Sequence, residues 1–404
     1  MVSQRIRQGE RGGVSIFIVI FTALLVTIVT ASFAQLMVRN QQQAIANDLS
    51  QSAYDSALAG VEDAKRALIR LQECENNDNK YADCSRLRSA LESDSCNSLG
   101  DTQAGVVRFK DGEVQVGDKE LNQAYTCVKV QLDTPNYRGD GLAPGVPVVI
   151  PLQTKGSVDT VRISWFSKAD LDKASSYSAE TASFPSGVPP LTLPQSGDEA
   201  GQWPTTAPAL LRAQLIQFKK GDITLSDFDE RGTPNARTLF LYPFNTGSTP
   251  GTRDFGDDER RDTTRQNELV PATCSASFEF DGSFACQVIL RLPELAGGGE
   301  REAYLQLQTY YQQFTSFDVV PLGEDEEPVE FDGVQPQVDS TGRASSLFRR
   351  VRASISLRND GVNLPYPDAA LSLNGDLCKN FFVTDDGSEY KPHDNEATDA
   401  ACSQ

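Results

Sequence analysis

Residues 11–36 read RGGVSIFIVIFTALLVTIVTASFAQL. No charged side chain lies between Arg11 and Arg39. The run from Val14 to about Met37 is apolar except for Ser15, Thr22, Thr27, Thr30, Ser32 and Gln35. A helix rises ~1.5 Å per residue and a bilayer core needs about 20 residues, so this run is long enough to span a membrane. Val14, Ile16, Phe17, Ile18, Leu24, Leu25 and Ile28 are among the side chains that would meet lipid. The hydroxyls can bond back to carbonyls of their own helix. Ahead of the run, Arg5, Arg7 and Arg11 face one acid, Glu10. That bias places the leader in the cytoplasm and the bulk of the chain outside.

Beyond the apolar run the helical phase persists while the composition changes. Leu49, Ala53, Ala57, Val61, Ala64, Leu68 and Leu71 recur at steps of three or four, which marks one face of a helix. Asp48, Asp55, Glu62, Asp63, Lys65 and Arg66 fall on the other faces. No proline interrupts residues 14–73, so the spacing predicts one helix over that range, with 14–37 transmembrane. Three readings fit this N-terminus. One is a basic leader, 1–13, cut after a glycine, with the helix retained. A second is an ordinary secretory signal cut near Ser32-Phe33-Ala34, although the apolar run exceeds the usual 7–15 residues. A third is an uncleaved signal anchor.

The leader and run, followed by QSAYDSALAGVEDAKRAL at 51–68, resemble the N-terminal region of PilX-type minor pilins of type IV pili. There a glycine-ending leader precedes an apolar segment and then a helix rich in small residues. The stretch Ser56–Leu68, SALAGVEDAKRAL, is similar to that pattern. The resemblance covers residues 1 to about 73. It implies cleavage by prepilin peptidase after Gly12 or Gly13, storage in the membrane, and packing against other pilin subunits in a filament. It also implies a pilin-type fold on the helix. Major pilins carry a glutamate as the fifth residue after the cut, where this chain has Phe17 or Ile18. An unpaired charge in an apolar filament core is costly, and its absence points to a tip or initiation subunit. A type II secretion pseudopilin and an anchored surface adhesin that never polymerises are the alternatives.

All eight cysteines follow the apolar run: Cys74, Cys84, Cys96, Cys127, Cys274, Cys286, Cys378 and Cys402. None forms a CxxC pair, so an even count beyond a membrane segment reads as disulfides in an oxidising compartment. Proximity favours pairs within the first four, then Cys274–Cys286 and Cys378–Cys402. The remaining 74–404 reads as an extracellular α+β domain. A disulfide-tied loop and short helix precede a hairpin at VVRFK-DG-EVQV, where Asp111-Gly112 suits a type I′ turn and sets Phe109 opposite Val114. Strands are expected at Tyr125–Leu132, Val146–Leu152 and Val158–Phe166, and near 210–218, 236–244, 284–292, 303–311 and 348–357. The expected fold is α+β: the long helix lying on an antiparallel sheet, enlarged by a β-rich insertion at about 170–300. A DG turn within CSASFEFDGSFAC leaves Cys274 and Cys286 out of register unless a longer loop or bulge intervenes.

A net charge of −19 argues against a chain devoted to nucleic acid. The basic cluster Arg349, Arg350 and Arg352 reads as a solvated strand edge. One histidine, His393, leaves little room for His-based catalysis, and no nucleotide, hydrolase or zinc-protease motif occurs. No enzyme activity is expected. Calcium is the one cofactor to weigh. Asp227–Gly232 imitates an EF-hand start, but Arg231 occupies a ligand position. Asp385, Asp386 and Glu389 form a second oxygen-rich group around a turn.

Overall fold

The computed structural model describes residues 13–76, 84–93, 113–116, 122–174, 206–220, 236–244, 251–255, 269–294, 300–311 and 315–356, with isolated residues between them. The chain divides into two units, 1–360 and 361–404. The second unit lies outside the described residues, as do Gly12, the Asp111-Gly112 turn with Phe109, and Asp227–Gly232. Cys378, Cys402, Asp385, Asp386, Glu389 and His393 fall there as well.

One helix, α1 (Gly13–Asn76), runs unbroken for 64 residues, about 96 Å at the standard rise. It continues past the expected end at Glu73, and Cys74 on its last turn is bonded to Cys84 at the start of α2 (Cys84–Glu92). A four-stranded antiparallel sheet packs on the second half of α1. Its order is β1 (Val114–Gln115), β2 (Ala124–Gln131), β13 (Gln337–Ala344) and β14 (Leu347–Ser354). Among the described residues, β1 pairs with β2, Val114 opposite Tyr125.

The middle strands of that sheet, β2 and β13, are neighbours in space yet about 200 residues apart in sequence. The described strands between them build a second sheet. Its order is β3 (Tyr137–Leu142), β12 (Thr315–Leu322), β5 (Thr160–Ser167), β10 (Phe284–Arg291), β9 (Val270–Cys274), β7 (Ala236–Phe244), β6 (Leu210–Lys219), β11 (Arg301–Tyr310) and β4 (Val148–Pro151). A tenth strand, β8 (Thr252–Asp254), lies parallel to β10. The helix α3 (Lys168–Ala174) follows β5 directly. The sheet nearly closes on itself: just past β3, Gly145 N donates to Thr309 O of β11 at 3.4 Å, and Thr309 Oγ1 donates to Leu142 O at 3.3 Å. The result is an α+β chain that is mostly β, with a near-barrel.

The insertion expected at 170–300 is therefore longer, running from the end of β2 to the start of β13. It forms its own sheet rather than widening the one on the helix. The physical reason is separate cores. Ile163, Trp165, Leu215, Leu305, Phe317 and Val319 point into the near-barrel, whereas Val61, Leu68, Tyr125, Val128 and Val338 fill the space under α1. Two chain crossings join the sheets, stitched by bridges from Phe331 to Thr134 and Thr154. The Gln335 amide clamps them further, donating to Arg138 O at 2.7 Å and accepting from Arg138 N at 2.8 Å.

Candidate functional site

The feature that sets this chain apart is α1. From Ile16 to Val38 its apolar side chains are exposed all round, Phe17 at 77% and Ile18, Leu24, Leu25 and Ile28 at half or more. Among the described residues none covers them, and the helix is long and apolar enough to cross a membrane. The hydroxyls need no outside partner: Thr22 donates to Ile18 O at 2.8 Å, Thr27 to Leu24 O at 2.8 Å and Ser32 to Ile28 O at 2.8 Å, while Thr30 bonds Val26 O. Gly13 opens the helix. Residues 39–48 continue it as a polar stalk exposed on every side.

From Ser50 onward the same helix is locked to the sheet. Ala53, Ala57, Ala64, Ala67 and Leu68 are fully buried, with Val61 and Leu71 close to it. The approach is close because both partners are small. A Cβ on Gly342 of β13 would lie 2.2 Å from Ala53 O and from Ala57 N, and one on Gly60 would lie 2.3 Å from Ser340 Oγ. Only glycine fits at these crossings. Asp63, expected in solvent, is drawn in instead: Tyr125 OH donates to its carboxylate at 2.8 Å, and Arg66 pairs with it at 2.8 Å. Burial, with Asp63 adding to it, pushes the Tyr125 phenol far above its ordinary range. Disulfides Cys74–Cys84 and Cys96–Cys127 tie α2 and β2 to this helix end.

The near-barrel carries polar groups of another kind. At the mouth of α3, the buried Asp170 carboxylate accepts from Ser167 N at 2.7 Å and Ser316 N at 2.8 Å, a capping box extended to the neighbouring strand. Cys274 is bonded to Cys286 directly opposite, Ser275 N still donates to Ala285 O, and residues 276–279 bulge out before the turn at Phe280–Phe284. The loop so formed sets Asp281 against Gln287 Nε2 at 2.9 Å and Arg162 at 3.1 Å, and Ser164 bonds the same carboxylate. Beside it, burial pushes the Asp318 carboxyl up, opposed by Arg138 and by Asn136, which donates at 2.7 Å. These groups bond chiefly to one another. An open groove of about 800 Å³ runs past Pro151, Thr154, Lys220, Glu300 and Tyr304, with Lys220 paired to Glu300 at 2.8 Å. Among the described residues no three His, Cys, Asp or Glu side chains come together to hold a metal ion.

Sequence reading located the apolar run and the buried row of α1. It missed the acceptor side of the contact: β13, with buried Val338, Ser340, Gly342 and Ala344, gives no hydrophobic signal. The only trace was Gly342 itself, an isolated glycine that marks close backbone approach. Comparison with known family models, curated proteins and solved structures finds no match to this chain.

Proposed function

We propose that this chain is a minor pilin of the type IV class, a structural subunit whose work is assembly rather than catalysis. The observation that carries the reading is α1: one unbroken helix, apolar and uncovered in its first half, fastened to a sheet by close small-residue contact in its second. A helix that only anchored the domain could end at the membrane surface. This one continues as a rigid rod through a polar stalk into the core, so a force or position set at the membrane end reaches the ectodomain.

In this reading prepilin peptidase removes residues 1–13 or 1–12. The apolar half first rests in membrane lipid, N-terminus cytoplasmic, and then exchanges lipid for the apolar helices of other pilin subunits. The exchange costs little, because both surroundings are apolar. Phe17 or Ile18 at the position where a glutamate would seek a neighbour's amine suits a tip or initiation subunit. The near-barrel, carried outward, offers the surface contact. Shearing filaments from the native cell and blotting them for this chain tests the reading. Its presence in the filament fraction supports assembly. Its retention only in the membrane fraction would make it an anchored surface protein that never polymerises.

A further inference from the structure

The sheet on α1 has an outer face that the account so far leaves idle. On β14, Val351 and Ala353 turn toward the helix, and Phe348, Arg350 and Arg352 point the opposite way. Phe348 is 54% exposed; outside α1, only it and Val146 are large apolar side chains so exposed among the described residues. Directly across β13 and β2, Phe348 lies opposite Arg343, and Arg352 lies in one row with Asp339 and Lys129. Four cations, Lys129, Arg343, Arg350 and Arg352, share the face with two carboxylates, Asp339 and Glu113. In a chain of net charge −19 this is a basic, aromatic-centred patch of the composition that anchors interfaces.

The complement is on the same chain. Glu324, Asp325, Glu326, Glu327 and Glu330 form the tip of a hairpin between β12 and β13, and all five are exposed. No Lys or Arg occurs between Arg301 and Arg343. The tip is ordered: Gly323 N donates to Glu327 O at 3.0 Å and Val329 N to Pro321 O at 2.9 Å. Among the described residues no ion pair joins it to the basic patch of its own chain, whose arginines pair with Glu113 and Asp339. Asp332, just past the tip, bonds Arg88 of α2 at 2.6 Å, and α2 is bonded to Cys74. Arg349, beside Phe348, bonds Ser50. Ser50 and Cys74 are 24 residues apart on one unbroken helix, about 36 Å along its axis.

We infer that the acidic hairpin 323–330 of one copy docks on the Phe348 face of a second copy, head to tail along the helix axis. A contact between two different surfaces is heterologous: it closes into a ring where the rotation between copies allows and otherwise extends into a row. The inference rests on the filament reading and adds that neighbouring copies of this chain touch one another at the tip or in an initiation complex. The carboxylates meet Arg350 and Arg352, and the exposed Pro328 supplies the apolar side facing Phe348.

The test uses the full chain in detergent micelles, with sedimentation velocity at low and high salt. Arg350→Glu with Arg352→Glu should weaken self-association at least tenfold, and so should Glu324→Lys with Glu327→Lys. All four changes in one chain should restore it, which misfolding could not do. High salt should weaken the wild type and the restored chain alike. No self-association of the wild type, or no rescue by the fourfold variant, overturns the contact. Sheared filaments separate the two claims: wild-type chain in filaments with no rescue in micelles refutes the contact alone. Rescue in micelles with the chain absent from filaments keeps the contact and refutes the filament reading.

Discussion

Replacing Gly342 by alanine should loosen α1 from its sheet. The new methyl would stand 2.2 Å from Ala53 O and Ala57 N, both helix backbone atoms that no rotamer change can move aside. Ordinary contact needs about 3.5 Å, so helix and sheet must part by roughly 1 Å along this line. The interface through Ala53, Ala57, Val61, Ala64 and Leu68 comprises on the order of 50 heavy-atom pairs at about 0.15 kcal/mol each, and a 1 Å gap forfeits up to half of each well. The loss is about 3–4 kcal/mol, at or just above the usual range for overpacking. Circular dichroism at 222 nm follows α1 directly, whereas both tryptophans, Trp165 and Trp203, lie outside the core under α1 and report elsewhere. The helical transition should fall by roughly 5–10 °C. Gly251→Ala is the control, since a Cβ there meets nothing within 4 Å; it should stay within about 0.5 kcal/mol of wild type. Equal stability of the two variants would refute the close-approach argument.

Other outcomes follow from the same structure. Removing Cys96–Cys127 by paired Ser substitutions frees a loop of 31 residues and should cost about 3.5 kcal/mol in a urea titration. Leu25→Asp puts a charge in the middle of the apolar run, at about 2.5–3.5 kcal/mol, and should move the chain out of the carbonate-resistant membrane fraction. Burial raises the Asp332 carboxyl, but bonds and charge from Arg88 and Lys155 outweigh it and hold the carboxyl below its ordinary value. A depressed carboxyl stabilises above its unfolded pKa of about 3.9 and loses that contribution as the pH falls. Arg88→Ala should therefore lower stability by a constant amount at neutral and alkaline pH and leave less to lose as the pH falls through the carboxylate range.

What could be read from sequence followed the strength of local signals. The apolar run and the alanine row of α1 have long, regular periods, and eight strands rich in Val, Ile, Leu and aromatic residues announced themselves. The missed strands are instructive. β13 reads QVDSTGRA because its partner is a helix backbone, and close approach selects small side chains over apolar ones. β12 is buried along its whole length, so it lacks alternation, and its Asp318 and Pro321 argue against a strand locally. β9 borders the Cys274–Cys286 bulge, whose geometry depends on residues 276–279 leaving the ladder. The size of the insertion was hidden for a different reason: only the pairing of β2 with β13, a long-range fact, shows where it begins and ends. The basic face was visible as a cluster of arginines, yet the proposed partner hairpin gained meaning only once Arg349 was placed beside Ser50 and Asp332 beside Arg88 of α2.

The central claim is that residues 1–13 are a leader and the apolar helix is kept. Mass spectrometry of the chain purified from its native cell tests it most directly by fixing the mature N-terminus. The account predicts a start at Gly13 or Val14 with the whole of α1 retained. A start at Gln35, or an intact Met1, would contradict it and leave a secreted or anchored surface protein.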